Sequence, residues 1–165
     1  MVMTSLRLIY QQLLYHCIHL QHMSDLGKVP FYTIERAIKT YRQLAQRRLV
    51  AAGSSITVDQ WLVLNVIEAE PGIQQGQIAD LVFKDKASIT RMIDLLVEAE
   101  LVVRTIPADD RRTVKLKLSR KGTKQLAALM PIVTRYREQA LKGITAQEIM
   151  ALKATLNKIM TNCDE

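Results

Sequence analysis

The chain has 165 residues, of which 23 are lysine or arginine and 16 aspartate or glutamate, giving a formal charge of +7; 48% is hydrophobic and only 5% aromatic. One domain with an ample core is expected at this length. No apolar run reaches the roughly 18 residues of a membrane span, and Cys17 and Cys163 show no metal or disulfide spacing with each other, so a cytoplasmic protein with reduced thiols and no membrane partner is expected.

Residues 1–28 read as an N-terminal extension. Its stretch from Leu6 to Leu20 is apolar, but Gln11, Gln12 and His16 interrupt it and no small-residue cleavage site follows, so a signal peptide is not expected. All three histidines, His16, His19 and His22, lie here beside Cys17. On a helix their spacing lines one flank, within reach of zinc or copper. A metal or redox site stands here against an extra helix on a dimer surface, or a stretch upstream of Met23 that packs on nothing.

Residues 29–162 carry the main domain. Ile34, Ile38, Tyr41, Leu44 and Ala45 make an apolar stripe on a helix from about Phe31 to Ala52, with Gly53 as its stop. Thr57-Val58-Asp59-Gln60 reads as a capping box for a helix ending at Pro71-Gly72. A short helix from Gln75 to Val82 puts Ile78, Ala79, Leu81 and Val82 on the core, and a break at Lys84-Asp85 follows. Asp85 is the N-cap of the next helix, on which Ile89, Met92, Ile93, Leu96 and Val97 form one buried stripe. The opposite face shows Lys86, Ala87, Ser88, Thr90 and Arg91, short polar groups and cations that reach phosphates and base edges. Two helices joined this tightly are helix-turn-helix geometry, in which the start of the second helix enters the major groove.

After Leu101 the period becomes that of a strand. Val114, Leu116 and Leu118 alternate with Thr113, Lys115 and Lys117, and Leu101 to Ile106 supplies the partner strand across the polar loop Pro107 to Arg112. This hairpin is a wing. Arg104, Arg111, Arg112, Lys115, Lys117, Arg120, Lys121 and Lys124 stand there against only Asp109 and Asp110. A merely solvated basic face explains such a cluster alone; beside a helix pair it points to a duplex and to salt-dependent binding.

Past the wing, Ser119 caps a long helix to Lys142, bent at Pro131 and stopped by Gly143, and Thr145-Ala146-Gln147-Glu148 caps the last one. Leu126, Leu129, Ile132, Val133 and Tyr136, with Ile149, Leu152, Leu156, Ile159 and Met160, are more apolar surface than two lone helices hide. The expected fold is therefore mainly α with a small β-hairpin wing: a winged helix-turn-helix whose DNA-reading part spans about 57–119, with dimerisation helices at about 31–52 and 120–161. A homodimer matches the two-fold symmetry of a palindromic operator.

Gln75-Gly76-Gln77-Ile78-Ala79-Asp80-Leu81, Ala87-Ser88-Ile89-Thr90-Arg91-Met92-Ile93-Asp94-Leu95-Leu96, Asp110-Arg111-Arg112 and Leu118-Ser119-Arg120-Lys121-Gly122 resemble the MarR family of winged-helix regulators, over about Pro30 to Met160. The resemblance implies that Arg112 enters the minor groove, that Asp110 steadies it, and that Ser88, Thr90 and Arg91 meet the major groove. It implies a sequence-specific DNA-binding regulator, in the family commonly a repressor released by a small aromatic ligand. Tyr32, Tyr41 and Trp61 are candidates to line such a ligand site, although aromatics on amphipathic helices are usually core. One position departs: Glu100 stands where the family has Gly after the recognition helix, which predicts a corner built differently here.

An enzyme is not expected, and no cofactor: there is no Gly-rich phosphate loop, no His-Glu-x-x-His and no nucleophile elbow. The remaining alternatives are a winged protein-interaction module without DNA, which would not need Arg111 and Arg112, and a metal- or redox-responsive regulator acting through the N-terminal cluster.

Overall fold

The computed structural model describes residues 27–106 and 114–164. The chain divides between Leu44 and Ala45 into two units, and helix α1 spans Pro30–Ala51. Before the division its apolar stripe is incompletely covered: Ile34, Tyr41 and Leu44 are half-buried and Ile38 is exposed. After it, Ala45 and Leu49 are fully buried.

The second unit carries α2 (Val58–Ala69), α3 (Gln75–Leu81), α4 (Lys86–Glu98), the strands β1 (Val102–Thr105) and β2 (Lys115–Leu118), α5 (Arg120–Ala140) and α6 (Ala146–Cys163). Its helix starts follow local chemistry. The Thr57 hydroxyl accepts from Gln60 N at 3.2 Å while Gln60 Oε1 accepts from Thr57 N at 2.8 Å, so two otherwise unpaired amides of α2 are satisfied reciprocally. Thr145 and Glu148 repeat the arrangement at α6, at 3.2 and 2.7 Å. Helix α5 continues through Pro131, expected to bend it, and ends two residues before the expected Lys142.

Three helix ends close with one device. At α1, Gly53 N donates to Val50 O and Ser54 N to Leu49 O; at α3, Phe83 N to Asp80 O and Lys84 N to Ala79 O; at α4, Glu100 N to Val97 O and Leu101 N to Leu96 O. This is the paired-bond end that needs a left-handed residue just past the cap. Gly53 supplies it with φ 72°, but Phe83 and Glu100 adopt it with φ 53° and 62°. The corner after α4 is thus not built differently for want of glycine: Glu100 takes the left-handed conformation, against a strain of about 1–2 kcal/mol. Leu96 and Leu101, joined by the last of these bonds, are both buried.

The core lies where α2, α3, α4, β2 and α5 converge on Val63, Leu64, Ile67, Ile78, Ile93 and Leu116, all at 0% exposure. Leu81, expected on this core, is 57% exposed. The buried side of α3 is set by Ile78 and Ala79, and Val82, one turn beyond Ile78, continues it, which turns Leu81 outward. The strands pair antiparallel, Val102 opposite Leu118 and Arg104 opposite Leu116. On its other side β2 is bonded to the segment before α3, with Gly72 N to Leu116 O at 2.8 Å and Leu116 N to Ile73 O at 3.2 Å. Leu116 is buried and Leu118 half-buried as the alternation predicts, whereas Val114, outside the paired register, is exposed.

Candidate nucleic-acid interface

Helix α4 is placed by its first turn. Asp85 Oδ1 accepts from Ser88 N at 2.7 Å and Oδ2 accepts from Ser88 Oγ at 2.6 Å. Those bonds, the hydroxyl's first and the amide's second, hold the Asp85 carboxyl below the ordinary aspartate value. The cap fixes both the start of the helix and the Ser88 side chain. Ser88, expected to read the groove, therefore has its hydrogen engaged by Asp85 and can offer outward only an acceptor.

Lys86, Ala87, Ser88, Thr90 and Arg91 are all exposed, on the side of α4 opposite buried Ile89, Ile93 and Leu96. One cationic and hydroxyl-bearing surface results. Thr90 Oγ1 donates to Lys86 O at 2.8 Å and accepts from Gln75 Nε2 at the start of α3, which ties the two helices of the pair together across their exposed edge. Gln75 was not among the expected site residues. Its role depends on a contact between residues 15 apart in the chain, and no local pattern announces that.

Two of the expected cations are partnered. Lys121 Nζ lies 3.0 Å from Glu100 Oε2, both side chains exposed, and Arg104 pairs with Asp94. An exposed pair of this kind is weak and screened by salt, so a phosphate can compete for Lys121. Asp110, Arg111 and Arg112 lie outside the described residues, with the rest of 107–113. The base of the wing is in place: Lys115 and Lys117 alternate outward along β2 while Leu116 is buried.

The junction between wing and α5 is the most tightly built corner. Ser119 Oγ donates to Glu100 O at 2.6 Å and accepts from Gly122 N at 2.9 Å, so one hydroxyl serves the end of α4 and the start of α5. Ser119 N donates to Leu101 O at 3.0 Å.

The aromatic candidates separate. Trp61 is 5% exposed, its ring lies 5.4 Å beneath the Arg137 guanidinium, and its Nε1–H has no acceptor. Tyr32 and Tyr41 belong to the part of α1 before Leu44, Tyr32 exposed and Tyr41 half-buried. A cavity of about 480 Å³ opens elsewhere, between the end of α1 and the middle of α5, bordered by Arg48, Ala52, Ile132, Arg135, Tyr136 and Gln139. None of the three aromatic candidates lines it. His16, His19, His22 and Cys17 lie outside the described residues, Cys163 is exposed, and no cluster that could hold a metal occurs among the described residues. No helix among the described residues is long and apolar enough to cross a membrane.

Comparison with known proteins agrees with this geometry. The family model of the MarR family matches residues 54–113, the stretch from before α2 to the end of the wing loop. A protein of unknown function from Listeria innocua is 31% identical, the match covering 86% of this chain and 98% of that one with a TM-score of 0.64. The transcriptional repressor CouR, solved bound to a 23-mer DNA duplex, is 27% identical, covering 84% and 96% with a TM-score of 0.75. A mutant of MarR from E. coli, solved complexed with operator DNA, is 25% identical, covering 82% and 96% with a TM-score of 0.74.

Proposed function

Because this chain belongs to the MarR family of DNA-binding transcriptional regulators, we propose that it works as a ligand-responsive repressor that grips a palindromic operator as a homodimer. The observation that carries the reading is the exposed face of α4, with Lys86, Thr90 and Arg91 on one side of a helix whose other side is locked in the core. Two such helices related by a two-fold axis enter successive major grooves about 10 bp apart. The wings then reach the flanking minor grooves, where narrow A·T tracts attract arginine, and Arg112, with Asp110 beside it, is the residue assigned to that task. Arg111 and Lys121 contact phosphates.

The dimer part of the reading is supported by α6, none of whose residues is buried in the single chain, with Leu152 and Met160 more than half exposed. A partner chain covers that face. The effector is a small aromatic molecule, and the 480 Å³ cavity is of the size such ligands occupy. Trp61 remains a candidate contact through its buried, unpartnered Nε1–H, as do Tyr32 and Tyr41 on α1. Bound effector alters the spacing of the two recognition helices and releases the operator.

The test compares operator with random duplex, since phosphate contacts position the protein whereas base contacts specify the sequence. Arg91→Ala and Thr90→Ala weaken binding to an operator more than to random duplex, while Lys121→Ala weakens both alike. Equal losses on both duplexes for Arg91 and Thr90 would put the reading face elsewhere.

A further inference from the structure

The Thr90 hydroxyl stands on the exposed face of α4 with nearly all its bonding capacity assigned. Its single hydrogen goes to the Lys86 carbonyl at 2.8 Å, and one lone pair accepts from Gln75 Nε2. A hydroxyl has one donor and two acceptor sites, so one lone pair is left. The same count orients Gln75. With the hydroxyl's hydrogen already engaged, the amide nitrogen and not Oε1 must face it. The two bonds together also pin χ1 of Thr90, which in a helix has two accessible rotamers. Remove Gln75 and the side chain can turn about χ1, leave Lys86 O and point its hydrogen outward, so that it meets donors and acceptors alike.

The geometry points to Gln75 as a specificity-determining residue that acts through Thr90, holding the hydroxyl so that only a lone pair faces the major groove. The base beneath Thr90 must then present a donor. Adenine N6 and cytosine N4 do so in the major groove, whereas guanine offers N7 and O6 and thymine offers O4 and a methyl. Gln75 is accordingly a positioning residue: half-buried at the start of α3, it sets which half of the base alphabet Thr90 accepts. The inference rests on α4 being the recognition helix.

The experiment begins with a duplex selected by the wild-type protein from a randomised pool. Each base pair of one half-site is then replaced in turn and affinity is read by fluorescence anisotropy. One position should favour adenine or cytosine by about tenfold, the lower range of a base-edge contact. Gln75→Leu and Thr90→Val should each flatten that same position to within about threefold, leave the other preferences standing, and be no worse in combination. Gln75→Glu offers only acceptors, so the hydroxyl turns its hydrogen from Lys86 O to the carboxylate and still presents a lone pair outward; it should retain the preference while lowering affinity for every duplex. A Gln75→Leu protein that loses the same factor on selected and random duplexes, or flattens a position that Thr90→Val leaves alone, would overturn the assignment. If the wild-type protein enriches no sequence at all, the reading of α4 falls instead, and that result is separable from the first.

Discussion

Gly122 lies against Leu101 so closely that a Cβ built on it would sit 2.0 Å from the Leu101 carbonyl oxygen. That oxygen also accepts from Ser119 N, so it cannot withdraw without loosening the start of α5. Gly122→Ala should therefore destabilise the fold by about 1–3 kcal/mol, as overpacking does. Thermal unfolding should show a midpoint lower by roughly 2–12 °C for a chain of this size. An unchanged midpoint would mean that the wing and α5 separate at little cost.

The two left-handed non-glycine corners predict the opposite sign. Phe83 is 90% exposed, so replacing it removes strain and little packing. Phe83→Gly should raise stability by about 0.5–1 kcal/mol, the relief of strain being partly offset by the freer unfolded chain. Glu100→Gly should gain less, because the weak pair with Lys121 goes too. The freed Lys121 should then bind operator and random duplex somewhat more tightly. A lower urea midpoint for Phe83→Gly would show that the left-handed corner carries less strain than the freer unfolded chain costs.

These corners mark where the sequence stopped being legible. Asp85, Thr57 with Gln60, Ser119, and Thr145 with Glu148 could be read as caps because each bonds to an amide three residues on, and such chemistry is written in short spacings. Gly53 could be read for the same reason. Phe83 and Glu100 could not, because both take the left-handed conformation against their own preference, at corners closed by the backbone bonds from Lys84 N to Ala79 O and from Leu101 N to Leu96 O. The outward turn of Leu81 follows from where α3 ends, and the bond from Gln75 to Thr90 from how α3 and α4 cross. Both are decided by the assembled core. The exposed polar face of α4 was visible as the complement of an apolar stripe; which of its hydroxyls are already engaged was not.

Asp85 and Glu148 give a pH test. Both carboxyls are held below their ordinary values of 3.8 and 4.5, Asp85 first by the Ser88 hydroxyl and Glu148 first by the Thr145 amide. A carboxyl whose folded pKa is lowered contributes stability above its unfolded pKa and loses that contribution as pH falls through the folded value. The caps of α4 and α6 should therefore persist at pH 5 and weaken only below 3.8 and 4.5 respectively. Carboxyl NMR titration should place each midpoint below those values, and Ser88→Ala should move the Asp85 midpoint upward. A midpoint for Asp85 at the ordinary value would show that the cap does not form in solution.

The wing tip lends itself to a salt experiment. If Arg112 enters the minor groove, Arg112→Ala should weaken operator binding by about 1–3 kcal/mol and lower the logarithmic salt slope by roughly one, leaving the fold intact. Affinity should be measured at two salt concentrations, because the slope counts the ionic contacts that the substitution removes. Unchanged affinity at both would remove the wing tip from the mechanism.

Assembly is tested on α6. Leu152 is 52% exposed and Met160 53%, while Ile149, Leu156 and Ile159 are only half-covered, so this helix presents a continuous apolar strip. In a dimer that strip is buried, and Leu152→Glu or Leu156→Glu would place an unpaired carboxylate there, at a cost of several kcal/mol or the separation of the chains. In a monomer Leu152 is already open to solvent, and the same substitution would cost almost nothing. Sedimentation of Leu152→Glu should thus show monomer or aggregate, and operator binding should fall although α4 is untouched, because each half-site is then held alone. Wild-type protein that sediments as a monomer at micromolar concentration and still protects a two-fold symmetric site would overturn the dimer.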